Sequence, residues 1–64
     1  MDFSKYTKII VTGVYYQTNK RFKPKVYENN IAGRLTAFGI NLWKGSRWGL
    51  LPNGKRVLLQ RVYN

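Results

Sequence analysis

Cysteine and histidine are both absent from these 64 residues, and Asp2 and Glu28 are the only acids. Each absence removes a class of chemistry. Without cysteine there are no disulfide staples and no thiolate metal sites, which fits a cytoplasmic protein. General acid–base catalysis needs a group that titrates near neutral pH, usually His or a perturbed carboxylate, and two isolated acids supply none. No triad, carboxylate pair or metal-ligand cluster can be assembled from this inventory, so the sequence predicts a protein that is not an enzyme and has no cofactor. Long apolar runs are missing as well. The run Ile9 to Tyr16 is too short and too polar to cross a bilayer, and Met1 to Lys8 has no apolar signal segment. The expectation is a soluble, unprocessed cytoplasmic chain. Membrane-surface binding is not expected, because no long helix joins a basic face to a strongly apolar one.

Positive charge is what the chain has in excess. Twelve Lys and Arg give a net charge of +10, beyond the magnitude of about 2–8 that solubility asks of a small domain. Two acids can neutralise two cations, and the remainder repel one another unless an outside partner relieves them. A domain this small buries only about 60% of the surface its unfolded chain exposes. Its ten aromatic residues must therefore supply much of the core. The chain reads as one domain over residues 1–64, with 1–6 as a mobile N-terminus.

Two apolar runs, Trp48 to Leu51 and Val57 to Tyr63, flank Pro52-Asn53-Gly54, and Asn-Gly between such runs is a strong hairpin signal. Lys8 to Gln17 is rich in β-branched and aromatic residues and apolar on both faces, as a central strand is. Gly13 within it marks a bulge or the close approach of another backbone. Thr18-Asn19-Lys20 reads as a turn into a second strand, Arg21 to Glu28. Strict alternation there puts Phe22, Pro24 and Val26 on one face and Arg21, Lys23, Lys25 and Tyr27 on the other. Pro24 cannot donate to a ladder, which places this strand at a sheet edge or beside a bulge.

Asn30 is a good N-cap, and Ile31, Leu35, Phe38 and Leu42 recur at helical spacing. Gly33 and Gly39 oppose a long helix. The expectation is a short helix from about Asn30 to Gly39 with its Ile31/Leu35/Phe38 stripe in the core, the chain extended again by Trp43, and Gly45 as a stop signal for any longer helix. On the strand that follows, Trp48 and Leu50 share a face and are expected to be buried, whereas Trp43 is expected to be exposed beside Lys44 and Arg47. Alternation in the last strand sets Arg56, Leu58, Gln60 and Val62 against Lys55, Val57, Leu59, Arg61 and Tyr63. Both sets are partly apolar, which predicts an internal strand.

The elements assemble as ββαββ, a small α+β domain with an antiparallel sheet and one short helix. An extended 30–43 segment would instead give an SH3-like or OB-like barrel. The leading functional expectation is a nucleic-acid-binding accessory protein, of DNA or RNA. In it Lys20, Arg21, Lys23, Lys25, Lys44, Arg47, Lys55 and Arg56 contact phosphates, and Tyr27 and Trp43 stack on bases. A recognition helix is disfavoured, since the predicted helix carries only Arg34. The alternative expectation is a small inhibitor or modulator that docks on an acidic host protein, for which basic and aromatic interface residues are equally suited. A chain of this size without targeting signals suits a phage or mobile-element product of that kind. A monomer is favoured, because association would bring highly positive chains together.

Overall fold

The computed structural model describes residues 3–39 and 42–63. Four strands form one antiparallel sheet: β1 (Lys8–Tyr15), β2 (Arg21–Glu28), β3 (Trp43–Leu50) and β4 (Arg56–Val62). The spatial order is β2-β1-β3-β4. Between β2 and β3 lies a helix, α1 (Ile31–Arg34), continued by a π-helical turn over Leu35–Gly39. This is the ββαββ arrangement, with the sheet open rather than closed into a barrel.

Ile9 and Val11 of β1 are fully buried, as the two-sided apolar pattern of a central strand requires. The β3–β4 hairpin turns where Asn-Gly predicts it. Leu51 N donates to Lys55 O at 2.8 Å, Gly54 N donates to Leu51 O at 2.9 Å, and Gly54 takes φ 88°. Asn30 caps α1 by accepting from Gly33 N at 2.8 Å, which satisfies one of the helix's free N–H groups.

Two bulges decide which way the edge strands face. Between β1 and β2 the register shifts: Val11 pairs with Lys25 but Gly13 pairs with Phe22. Lys23 and Pro24 therefore stand opposite Thr12 alone, and the bulge sits at the residue that cannot donate to the ladder. Between β3 and β4, Arg47 pairs with Gln60 but Trp48 pairs with Leu58, so Leu59 is the extra residue. An inserted residue reverses the alternation beyond it.

The consequences correct several expectations. In β2, Phe22, Lys25 and Tyr27 share the face of Ile9 and Val11, while Arg21 stands on the other face beside Val14. The row of Arg21, Lys23, Lys25 and Tyr27 does not form. In β4, Arg56, Leu58 and Arg61 pair across to Leu50, Trp48 and Ser46 and so share one face. This strand is an edge and not internal. Its apolar residues serve one covered face and one hairpin partner rather than two flanking strands.

The core is Ile9, Val11, Ala37 and Trp43, with Phe3, Phe22, Tyr27, Phe38 and Leu59 packed around it. The tryptophans exchange the roles expected of them: Trp43 is 5% exposed, while Trp48 and Leu50 are only half-buried. The register is the cause, since Trp43 lies opposite Tyr15 on the helix-covered face and Trp48 lies opposite Ile10 on the other. The helical stripe is also corrected. Ile31 is 72% and Leu35 65% exposed, and it is Ala37 that is fully buried. Phe38 of the stripe does pack against the core; the π-helical turn over Leu35–Gly39 advances fewer degrees per residue than an α-helix, which takes Phe38 out of line with Ile31 and Leu35. Gly45 does not stop a helix; it lies within β3. Residues 1 and 2 of the predicted mobile N-terminus, and residues 40 and 41 between the predicted helix and Trp43, lie outside the described residues. Phe3 contacts Phe38 at 5.6 Å between ring centroids, and Tyr6 is buried.

Candidate nucleic-acid interface

α1 and the π-helical turn lie over one face of the sheet, where Ala37 joins Ile9, Val11 and Trp43. On the opposite face the register aligns side chains in rows across all four strands. One row is apolar: Val26, Ile10, Trp48 and Leu58. Its outer members remain open to solvent, Val26 at 58% and Leu58 at 42%. The next row is Glu28, Lys8, Leu50 and Arg56, and on the other side Thr12 and Ser46 lead to Arg61. Beyond these come Arg21, Val14 and Lys44. Five cations thus surround an apolar strip on the face opposite the helix, where Ile10 and Ser46 at the centre are buried and the rim is open.

Local chemistry fixes this arrangement. Glu28, the one acid among the described residues, forms an ion pair with Lys8. Trp48 is held by a hydrogen bond from its Nε1 to Thr12 Oγ1 at 3.0 Å. Lys44 places its ammonium 5.9 Å from the centre of the Tyr16 ring. This cation–π contact adds to its position without consuming its charge.

The ten residues singled out from sequence divide between the two faces. Arg21, Lys44 and Arg56 belong to the uncovered face. Lys23 is exposed at the β2 bulge, and Lys20 and Lys55 are exposed in the two hairpin turns. Lys25, Tyr27, Trp43 and Arg47 are on the helix-covered face. There Lys25 Nζ sits 5.3–5.8 Å from the centres of the Phe22, Tyr15 and Trp43 rings, and Tyr27 stacks on Trp43 at 6.1 Å. Trp43 is too enclosed to stack on a base, which corrects its expected exposure.

Arg47 is 2% exposed. Its Nε donates to Ala37 O at 3.0 Å, Nη2 to Trp43 O at 3.1 Å and Nη1 to Gly45 O at 3.4 Å. Burial pushes this guanidinium below its ordinary value, and Tyr16 acts in the opposite direction. Arginine starts so far above neutrality that the group stays charged. The fork is committed to backbone carbonyls, so it binds the fold together and not a phosphate.

Sequence reasoning missed Lys8, Arg61 and Tyr63. Strict alternation assigns Arg61 and Tyr63 to the side opposite Arg56; the extra residue at Leu59 returns Arg61 to the side of Arg56, and Tyr63 lines a cleft with Thr12, Val14 and Lys44. The available signal was Gln60, a polar side chain that strict alternation places among Leu58 and Val62. No family model, curated protein or solved structure matches this chain.

Proposed function

We propose that the protein binds nucleic acid through the uncovered face of its sheet, with Lys8, Arg21, Lys44, Arg56 and Arg61 contacting phosphates. The observation that carries this reading is the register, which gathers these cations on one face around an apolar strip, with Glu28, the one acid among the described residues, paired to Lys8. A net charge of +10 then has one surface on which displaced counterions can repay binding. α1 is too short to enter a groove as a recognition helix, so contact by a sheet surface and its adjoining turns is the mode the fold favours. Lys20, Lys23 and Lys55 extend that surface from the turns and the bulge.

The test is fluorescence-anisotropy binding of labelled DNA and RNA across a salt series. Micromolar or tighter binding near physiological salt is expected, with log affinity falling by about 0.7–0.9 per log salt for each phosphate contact. Binding that is indifferent to nucleic-acid form and vanishes by about 150 mM salt would reduce the charge to a non-specific role.

A second reading has its own observation. Ile31 and Leu35, both largely exposed, join Phe3, Phe38 and Arg34 around a groove of about 410 Å³ on the helical side. An apolar groove beside a cation suits a protein partner. In that reading the chain docks on an acidic host protein and modulates it, and affinity capture from nuclease-treated lysate, followed by loss with Leu35→Asp, is the test.

A further inference from the structure

The sheet opens into a cleft where Gly13 meets Gly45. These residues pair in register, with φ of 140° and 146°; they follow Ile9 and Val11 on the helix-covered side, so what they present between Thr12 and Val14 is backbone. A cleft of about 430 Å³ opens there, lined among others by Thr12, Val14, Pro24, Arg21, Lys44 and Tyr63.

The placement of charge around this cleft is specific. Arg21 and Lys44 pair with Val14 from opposite sides. They therefore flank one apolar residue at roughly 10 Å between backbones, twice the interstrand spacing. Both side chains are long enough to reach a common anion above Val14. Tyr63 is 66% exposed, so its ring is available to a ligand. Pro24 adds a rigid apolar wall without an N–H to desolvate.

We propose that this cleft is a single-nucleotide subsite for single-stranded nucleic acid, in which Arg21 and Lys44 hold a backbone phosphate and the base lies against Tyr63 and Pro24. The proposal rests on the nucleic-acid reading above and adds the form of the ligand. A duplex offers phosphates to the cations but keeps its bases stacked inside, leaving the apolar lining of the cleft unfilled. An unpaired base fills it, and stacking on an aromatic ring is tolerant of sequence.

The experiment compares the full chain with Tyr63→Ala, Tyr63→Phe and the Arg21→Gln/Lys44→Gln double variant. The probes are labelled oligothymidine, labelled oligouridine and a labelled DNA duplex of the same length, and circular dichroism checks that each variant is folded. Tyr63→Ala is expected to weaken single-strand binding by about 5- to 150-fold and duplex binding by less than about twofold, with Tyr63→Phe close to wild type. The double variant is expected to lower the single-strand salt slope by about 0.7–1.4. Equal losses for strand and duplex, or unchanged strand binding by Tyr63→Ala, would overturn the subsite while leaving the nucleic-acid reading intact. A wild-type protein that binds none of the three probes overturns both. A preference between oligothymidine and oligouridine that disappears in Tyr63→Ala identifies the base or sugar read at this cleft and supports the proposal.

Discussion

Arg47 donates from Nε to the carbonyl oxygen of Ala37 at 3.0 Å, so the helical cover is fastened to the third strand by a buried cation. The same guanidinium holds Trp43 O and Gly45 O. One side chain therefore serves a strand, its pairing edge and the helix above it. Its full burial is compatible with charge because each contact is a carbonyl dipole aimed at the fork.

Arg47→Gln is expected to lose most of the protein's stability. It leaves up to three buried carbonyls without a donor, at about 1–3 kcal/mol for each unsatisfied group. A domain of this size has roughly 3–10 kcal/mol in all. Arg47→Lys should fare little better, since a single ammonium cannot reproduce the fork. Urea midpoints measure the loss, and a midpoint equal to wild type would show that the three contacts contribute nothing net.

The two tryptophans should respond in opposite ways to truncation. Trp43→Ala removes the ring on which Phe22, Tyr27 and Lys25 converge and should cost about 3–5 kcal/mol, enough to unfold the chain. Trp43→Phe should cost far less, because the indole N–H has no hydrogen-bond partner among the described residues. Trp48→Ala, half-buried on the uncovered face, should leave a folded protein. Thermal melts followed by circular dichroism separate these outcomes, and an unfolded Trp48→Ala with a stable Trp43→Ala would reverse the assignment of the core.

Charge removal should likewise divide by face. Arg61→Gln is expected to lower the salt slope of nucleic-acid binding by about 0.7–0.9 with little change in stability. Lys25→Gln should leave the slope alone and instead destabilise by about 1–2 kcal/mol, as its ammonium gives up three aromatic faces. Anisotropy titrations and urea melts on the same preparations decide it. Equal slopes lost by both variants would mean that Lys25 reaches the ligand despite its ring contacts.

These divisions mark what was legible in the sequence. The Asn53-Gly54 turn, the Asn30 cap and the central position of β1 all follow from local chemistry, and each is found in the fold. Pro24 announced an edge or a bulge and has both. What alternation alone does not contain is the side on which a strand resumes after a bulge. One extra residue at Pro24 and one at Leu59 moved Lys25 and Tyr27 under the helix and brought Arg61 to the uncovered face. The helical stripe held only at Phe38: the π-helical turn changed the angular spacing beyond Leu35, so Ala37 and Phe38 met the core while Ile31 and Leu35 did not. Trp43 and Trp48 have similar neighbours in sequence, and only the pairing of β3 with β1 distinguishes them.

The glycine pair offers the sharpest test of that pairing. At Gly13 an added Cβ would fall on the carbonyl oxygen of Lys44, and at Gly45 on that of Thr12. Both residues also take φ values that L side chains rarely adopt, so each alanine substitution adds backbone strain of about 1–3 kcal/mol to a steric clash. Either single variant should be strongly destabilised. The double variant should lose less than the sum of the two, because the strand separation forced by the first alanine already makes room for the second. Gly39→Ala is the control. No described residue lies within 4 Å of its Cβ position, and replacing a helical glycine should stabilise by about 0.4–1 kcal/mol, raising the melting temperature by several degrees. If Gly13→Ala and Gly39→Ala melt alike, β1 and β3 do not approach as closely at this point as their register requires.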